Sequence, residues 1–207
     1  MSAQRWRLTV YDLAPTGHYI VPTGGHAFVY AADGDTTVTG TSLAQDAGSF
    51  ATAGDTVSAS AIAWIYELVP GASLPPRQDG LSPVLSRAVS LPEGAHLLRA
   101  DRVESAAGAQ TPAHRHQGPG IRRLRRGLLL AEVGDHLDRI EAGQAWFESG
   151  HETVVGTNIS GATNAFVRVM LLPVALAGGK SSFIPANPQE AAKPRAANLT
   201  LFGERPL

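Results

Sequence analysis

Gly108-Ala109-Gln110-Thr111-Pro112-Ala113-His114-Arg115-His116-Gln117-Gly118-Pro119-Gly120, with Gly127 seven residues further on, is the stretch that decides the fold. In an extended strand, residues two apart project to the same face, so His114 and His116 turn both imidazoles to one side and can chelate a single ion. The surrounding glycines and prolines permit a tight corner beside such a pair. A lone His-x-His also arises by chance on surfaces; the spacing of the glycines gives this one its weight.

Outward from this stretch the chain reads as short strands. Arg7-Leu8-Thr9-Val10-Tyr11, Ala27-Phe28-Val29-Tyr30-Ala31 and Ile62 to Val69 are branched or aromatic and bounded by Gly, Pro or Asp. Ala95 to Arg99, Leu128 to Val133 and Ala165 to Leu172 follow in similar order in the second half. Helical periodicity is scarce, and 22 glycines and 14 prolines punctuate the 207 residues. The pattern predicts an all-β sandwich or barrel. Gly34 and Gly127, Gly48 and Gly143, and Pro70 and Pro173 line up between the halves at offsets of 93, 95 and 103 residues. Kept order with a growing offset points to an internal duplication whose second copy has gained residues.

These readings divide the chain into a degenerate N-terminal barrel (1–72), a linker (73–92), a C-terminal barrel with the candidate site (93–176) and an extended C-terminal arm (177–207). The linker reading rests on Pro70-Gly71-Ala72-Ser73-Leu74-Pro75-Pro76 and the arm reading on Gly178, Gly179, Pro185, Pro188 and Pro194. Gly179-Lys180-Ser181 ends like a phosphate loop, but the first glycine of that motif falls on Val174, which excludes it.

The spacing of Gly108, His114, His116 and Gly127 resembles the first sequence motif of the cupin family, G-x5-H-x-H-x3-E-x6-G. The second motif, G-x5-P-x-G-x2-H-x3-N, fits in register from Gly143 to Asn158. The resemblance implies two tandem double-stranded β-helix (jelly-roll) barrels. It also implies a divalent metal cofactor, of Fe, Mn, Ni or Zn type. Two ligands expected from it are missing: Gly120 stands in place of the Glu and Val154 in place of the second His, while Ser149 and His151 replace the Pro and Gly. His151 and Glu148 are the candidates to complete the site, although strand parity turns His151 away from Val154's face unless a turn intervenes. The other reading makes Glu148 and Glu152 solvated rim charges and His151 a surface turn residue.

Alternation from Gly120 directs Arg122 inward, toward an anionic substrate or Glu148, or else leaves most of the Arg122-Arg123-Leu124-Arg125-Arg126 run solvated. Gln117 is a weak-ligand or substrate-contact candidate. Trp146 is a candidate wall of the substrate site, though with Phe147 it also reads as core and rim. His136 reads as a hairpin-turn residue. In the N-terminal copy the ligand positions fall on Val21, Thr23 and Ala27, none of which binds metal, and His18 and His26 are out of register.

Seventeen Lys and Arg against 18 Asp and Glu give a net charge of −1, which argues against nucleic acid as a partner. The expected partner is a small molecule. No cysteine is present, so any metal site uses nitrogen and oxygen donors. Apolar runs fall short of the roughly 18 residues of a membrane helix, and Met1 to Arg7 leads straight into a strand-like segment, so a cytoplasmic protein is expected. An open sheet edge, with the resemblance, leads to the expectation of a homodimer. Two functions stay open: a metal-dependent enzyme, dioxygenase-like or an isomerase, and a non-catalytic bicupin that binds a small ligand or serves a structural role.

Overall fold

Branched and aromatic runs separated by glycine, proline and aspartate turns become strands, and the strands divide between two compact units, Met1–Gly94 and Ala95–Leu207. The computed structural model describes residues 4–71 and 78–207. In the first unit, β1 (Gln4–Leu13), β3 (His26–Tyr30), β6 (Gly48–Thr52), β8 (Ala63–Pro70) and β9 (Leu81–Leu91) form a five-stranded sheet in the order β6-β3-β8-β1-β9. The strands β2 (His18–Ile20), β4 (Thr36–Val38), β5 (Thr41–Leu43) and β7 (Thr56–Ala59) form a second sheet, β2-β7-β4-β5.

The second unit repeats this plan. One wall is β15-β12-β17-β10-β19, built from β10 (His96–Ser105), β12 (Gly120–Arg126), β15 (Ala145–Glu148), β17 (Asn164–Pro173) and β19 (Asn198–Pro206). The other wall is β14-β13-β16-β11-β18, from β11 (His114–His116), β13 (Leu128–Val133), β14 (His136–Glu141), β16 (Val154–Asn158) and β18 (Phe183–Pro185). Strand for strand the order matches, with β18 added beside β11. Register agrees as well: Ala27 opposes Glu67 as Gly120 opposes Met170, which reproduces the offsets of 93 and 103 residues. Gly34 and Gly127 share a left-handed backbone, with φ of 70° and 86°. Gly48 and Gly143 do not match in this way: Gly48 lies in β6 under the Phe28 ring, whereas Gly143 turns ahead of β15 with φ 86°.

Two segments differ from the sequence reading. Residues 81–91, expected in a linker, form β9 and pair along the whole of β1; residues 73–77 of that linker lie outside the described residues. The expected extended arm supplies β18, paired with β11, and β19, paired with β10. In both segments, prolines and glycines diluted an apolar alternation that pairing with β1, β10 and β11 stabilises. Among the described residues, no helix is long and apolar enough to cross a membrane.

The first unit has an apolar core. Tyr19, Val21, Ala27, Val29 and Ile65 belong to one buried cluster, while Thr23 is exposed, so the positions aligned with the histidines hold no donor set. Within it, the fully buried Glu67 accepts hydrogen bonds from Tyr19 Oη at 2.7 Å and Tyr11 Oη at 3.2 Å. Burial raises the Glu67 pKa above the ordinary 4.5, and the two tyrosine hydroxyls only partly offset this. A raised carboxyl pKa means that the folded state keeps a proton that the unfolded chain releases. Its contribution is therefore complete below the ordinary carboxyl range and is lost as pH rises toward the folded pKa. Glu67→Gln is expected to abolish this decline. Thermal melts between about pH 4 and 8 should converge at the acid end and favour the variant at the alkaline end; parallel pH profiles would show that Glu67 does not titrate in this way.

Candidate metal centre and ligand cavity

The short β11 is buried, exposed and buried in turn, so His114 and His116 point inward and Arg115 points out. His114 Nδ1 donates to Pro112 O at 2.7 Å, which leaves its Nε2 bare. That atom lies 3.3 Å from His116 Nε2. The Nδ1 of His116 meets Ser182 Oγ at 3.1 Å, and the His114 ring stacks on Phe183 with centroids 4.3 Å apart. Burial lowers both histidine pKa values, that of His116 well below 6.5 with help from Arg122 and Arg168. Both imidazoles are neutral at pH 7, the state that coordinates metal.

The register of the adjoining sheet positions the remaining groups. Cross-strand neighbours share a face, and one lateral row across β15, β12, β17, β10 and β19 reads Trp146, Arg122, Arg168, Asp101 and Leu201. The next row reads Glu148, Gly120, Met170, Arg99 and Glu204. Glu148 thus stands directly across from Gly120, the position at which the sequence motif lacks its carboxylate. Its Oε1 accepts from Trp146 Nε1 at 3.0 Å, and its Oε2 lies 2.6 Å from Arg122 Nη2 and 3.8 Å from His116 Nε2. Arg122, 1% exposed, also donates to Gly120 O at 2.7 Å. Arg168 Nε pairs with the buried Asp101 at 2.5 Å.

These side chains line a cavity of about 320 Å³, within the range of small-molecule sites. Leu129, Ala131 and Val154 give it an apolar wall opposite the charged rows. Val154, where the resemblance calls for a histidine, opposes His114 across β16 and lines the cavity.

The structure therefore brings together His114, His116, Glu148, Arg122 and Trp146, and leaves two candidates outside. His151 is exposed on the turn after β15 and does not line the cavity, because the turn that could have reversed its parity carries it outward. Gln117 is exposed, its amide near Ser181 O at 3.5 Å. Asn158, which closes the second motif, is a buried clamp: its Nδ2 donates to the carbonyls of Ser105, Ala106 and Ala162, each at 2.9 Å. Sequence reasoning missed Asp101, Arg168, Ser182 and Phe183. Arg168 did leave a signal, a charge inside the apolar run Phe166 to Leu172.

Among the described residues, no three His, Asp or Glu side chains stand in the spacing of a preformed metal site. The two histidine nitrogens by themselves fit a shared ion. Two nitrogens bound to one ion at about 2.0–2.1 Å and at a tetrahedral angle lie roughly 3.3 Å apart, which is the separation of the two Nε2 atoms. The Glu148 carboxylate lies 3.8 Å from His116 Nε2 and is paired with Arg122.

No protein-family model matches the sequence, and no curated protein does. Solved structures do match. AerE from Microcystis aeruginosa is 15% identical, with a TM-score of 0.54 over 80% of this chain and 87% of that one. The salicylate 1,2-dioxygenase of Pseudaminobacter salicylatoxidans is 11% identical, with a TM-score of 0.53 over 97% and 76%. A deletion mutant of the Bacillus subtilis oxalate decarboxylase OxdC is 11% identical, with a TM-score of 0.57 over 94% and 78%. At these identities the likeness is one of fold, and the fold is that of the tandem cupins, as the two motif frames led one to expect.

Proposed function

We propose that the second unit is a metal-dependent enzyme site for a small organic molecule, with His114 and His116 as ligands of a divalent ion and Glu148 as the third. The observation that carries this reading is the convergence of the Nε2 atoms of two buried imidazoles at 3.3 Å inside a ligand-sized cavity. Two histidines and one carboxylate are the donor set of non-haem iron oxygenases, and a salicylate 1,2-dioxygenase is among the similar folds. When bound, the ion supplies Lewis acidity and, if it is iron, redox capacity. The chain's own groups do the rest. Pro112 O fixes the His114 tautomer, Ser182 Oγ can accept from His116 Nδ1, and Phe183 braces the His114 ring. Trp146 Nε1 orients Glu148, which Arg122 holds until an ion competes for it.

Elemental analysis of protein purified without a polyhistidine tag is expected to show about one divalent ion per chain, with His114→Ala lowering affinity at least a hundredfold. If no stoichiometric metal is present and none binds on titration, the reading fails. The Arg122–Glu148 pair favours a second reading, a metal-free binder of small molecules, and that result would select it.

A further inference from the structure

We propose that the cavity of the second unit binds a small monocarboxylate with an apolar body, its carboxylate received between Arg122 and Arg168. The inference takes its cavity and the Arg122–Glu148 pair from the function proposed above and adds Arg168 and Asp101 to them.

Arg122 and Arg168 are direct cross-strand partners on β12 and β17, on the face that lines the cavity. Like charges placed opposite one another repel, and buried cations bear a desolvation cost that only close counter-charges offset. The flanking acids offset part of it. Glu148 lies against Arg122 and Asp101 against Arg168, so the four groups form a line with the two guanidiniums in the middle. Arg168 is engaged along one edge: its bond to Asp101 uses Nε, its side chain lines the cavity, and its two terminal nitrogens make no hydrogen bond among the described residues.

The charge count around the cavity points the same way. Arg99, Arg122, Arg168 and Arg195 line it with Asp101 and Glu148, while Glu204 pairs with Arg99. Among the lining side chains guanidiniums outnumber carboxylates four to two, and a carboxylate meets a guanidinium in the bidentate geometry it prefers. A bound divalent ion would increase the surplus and the preference for an anion.

The opposite wall defines the rest of the ligand. Leu129, Ala131, Val154 and, beside the charged rows, Phe166 present carbon surface and no charge. An inorganic anion would satisfy the guanidiniums and leave that surface wet; a carboxylate on an apolar body covers both. The volume of about 320 Å³ admits a body the size of a substituted ring or short acyl chain.

The test is calorimetric titration of the full untagged chain with benzoate, benzamide and inorganic phosphate, both stripped of metal with EDTA and loaded with zinc. Benzoate is expected to bind saturably in both states, and benzamide about tenfold or more weakly; phosphate is expected not to displace benzoate. The double variant Arg168→Gln, Asp101→Asn removes the cation together with its counter-charge. It is expected to weaken benzoate about ten- to a hundredfold while keeping its zinc. Arg168→Lys keeps a charge beside Asp101 but not the fork, so it serves if the double variant fails to fold, with a loss of about tenfold expected. Benzamide binding as tightly as benzoate, phosphate competing as well as benzoate, parental benzoate affinity in both variants, or no benzoate binding to about 10 mM would each overturn the proposal. Benzoate binding to a protein that takes up no metal would sink the metal reading alone; zinc binding without benzoate binding would sink this one alone.

Discussion

Arg122→Met is expected to destabilise the second unit by about 3–5 kcal/mol, because it removes one member of a buried ion pair and leaves the other without a counter-charge. Arg122 is 1% exposed and Glu148 4%. Without the guanidinium, the Glu148 carboxylate would keep only the hydrogen bond from Trp146 Nε1 and lie close to a neutral His116. The double variant Arg122→Met, Glu148→Leu removes both charges and should recover most of the loss. Denaturant titration measures both. Zinc should stabilise Arg122→Met more than the parent, since the freed carboxylate no longer has to leave a cation to reach an ion. A single variant as stable as the parent would mean that the pair does not hold this wall together.

Gly120→Glu restores, on paper, the carboxylate missing from the first motif. It is expected instead to lower stability by about 3 kcal/mol or more, with Tm falling by roughly 10 °C, and to leave metal affinity no better. A Cβ at position 120 would lie 2.5 Å from Val169 O, 2.8 Å from Met170 Cγ and 3.0 Å from Met170 Cα. Two of these three atoms belong to the backbone of β17, so side-chain adjustment cannot make room. Glu148 occupies the cross-strand position one strand to the side, on β15. Thermal unfolding together with zinc titration decides it, and a stable Gly120→Glu that binds zinc more tightly would refute the substitution of one carboxylate by the other.

Much of the fold is legible in the sequence. The glycine spacing around His114 and His116 and the second frame from Gly143 to Asn158 describe local turns, which are written in contiguous residues, and the shared turn at Gly34 and Gly127 marks the repeat. Half of the site was legible for the same reason, since both histidines lie on one three-residue strand. The rest depended on lateral pairing. That Glu148 faces Gly120, or that Arg122, Arg168 and Asp101 form one row, follows from the register of strands far apart in sequence, which side-chain alternation alone does not supply. His151 failed because its parity was conditional on the direction of a turn. The segments expected to be a linker and an arm have one explanation: each copy of the barrel ends with a strand that returns to its own first strand, β9 to β1 and β19 to β10.

That return has a consequence for synthesis. Domains fold as they emerge, N-terminal first, and the first unit has all its strands once Leu91 is made. The second waits. Its opening strand, β10, lacks one neighbour until residues 198–206 have been translated, and the histidines lack Ser182 and Phe183 almost as long. During elongation His114 and His116 are thus present before the groups that seal and orient them. The candidate site is completed only after the segment that follows β17 has been made.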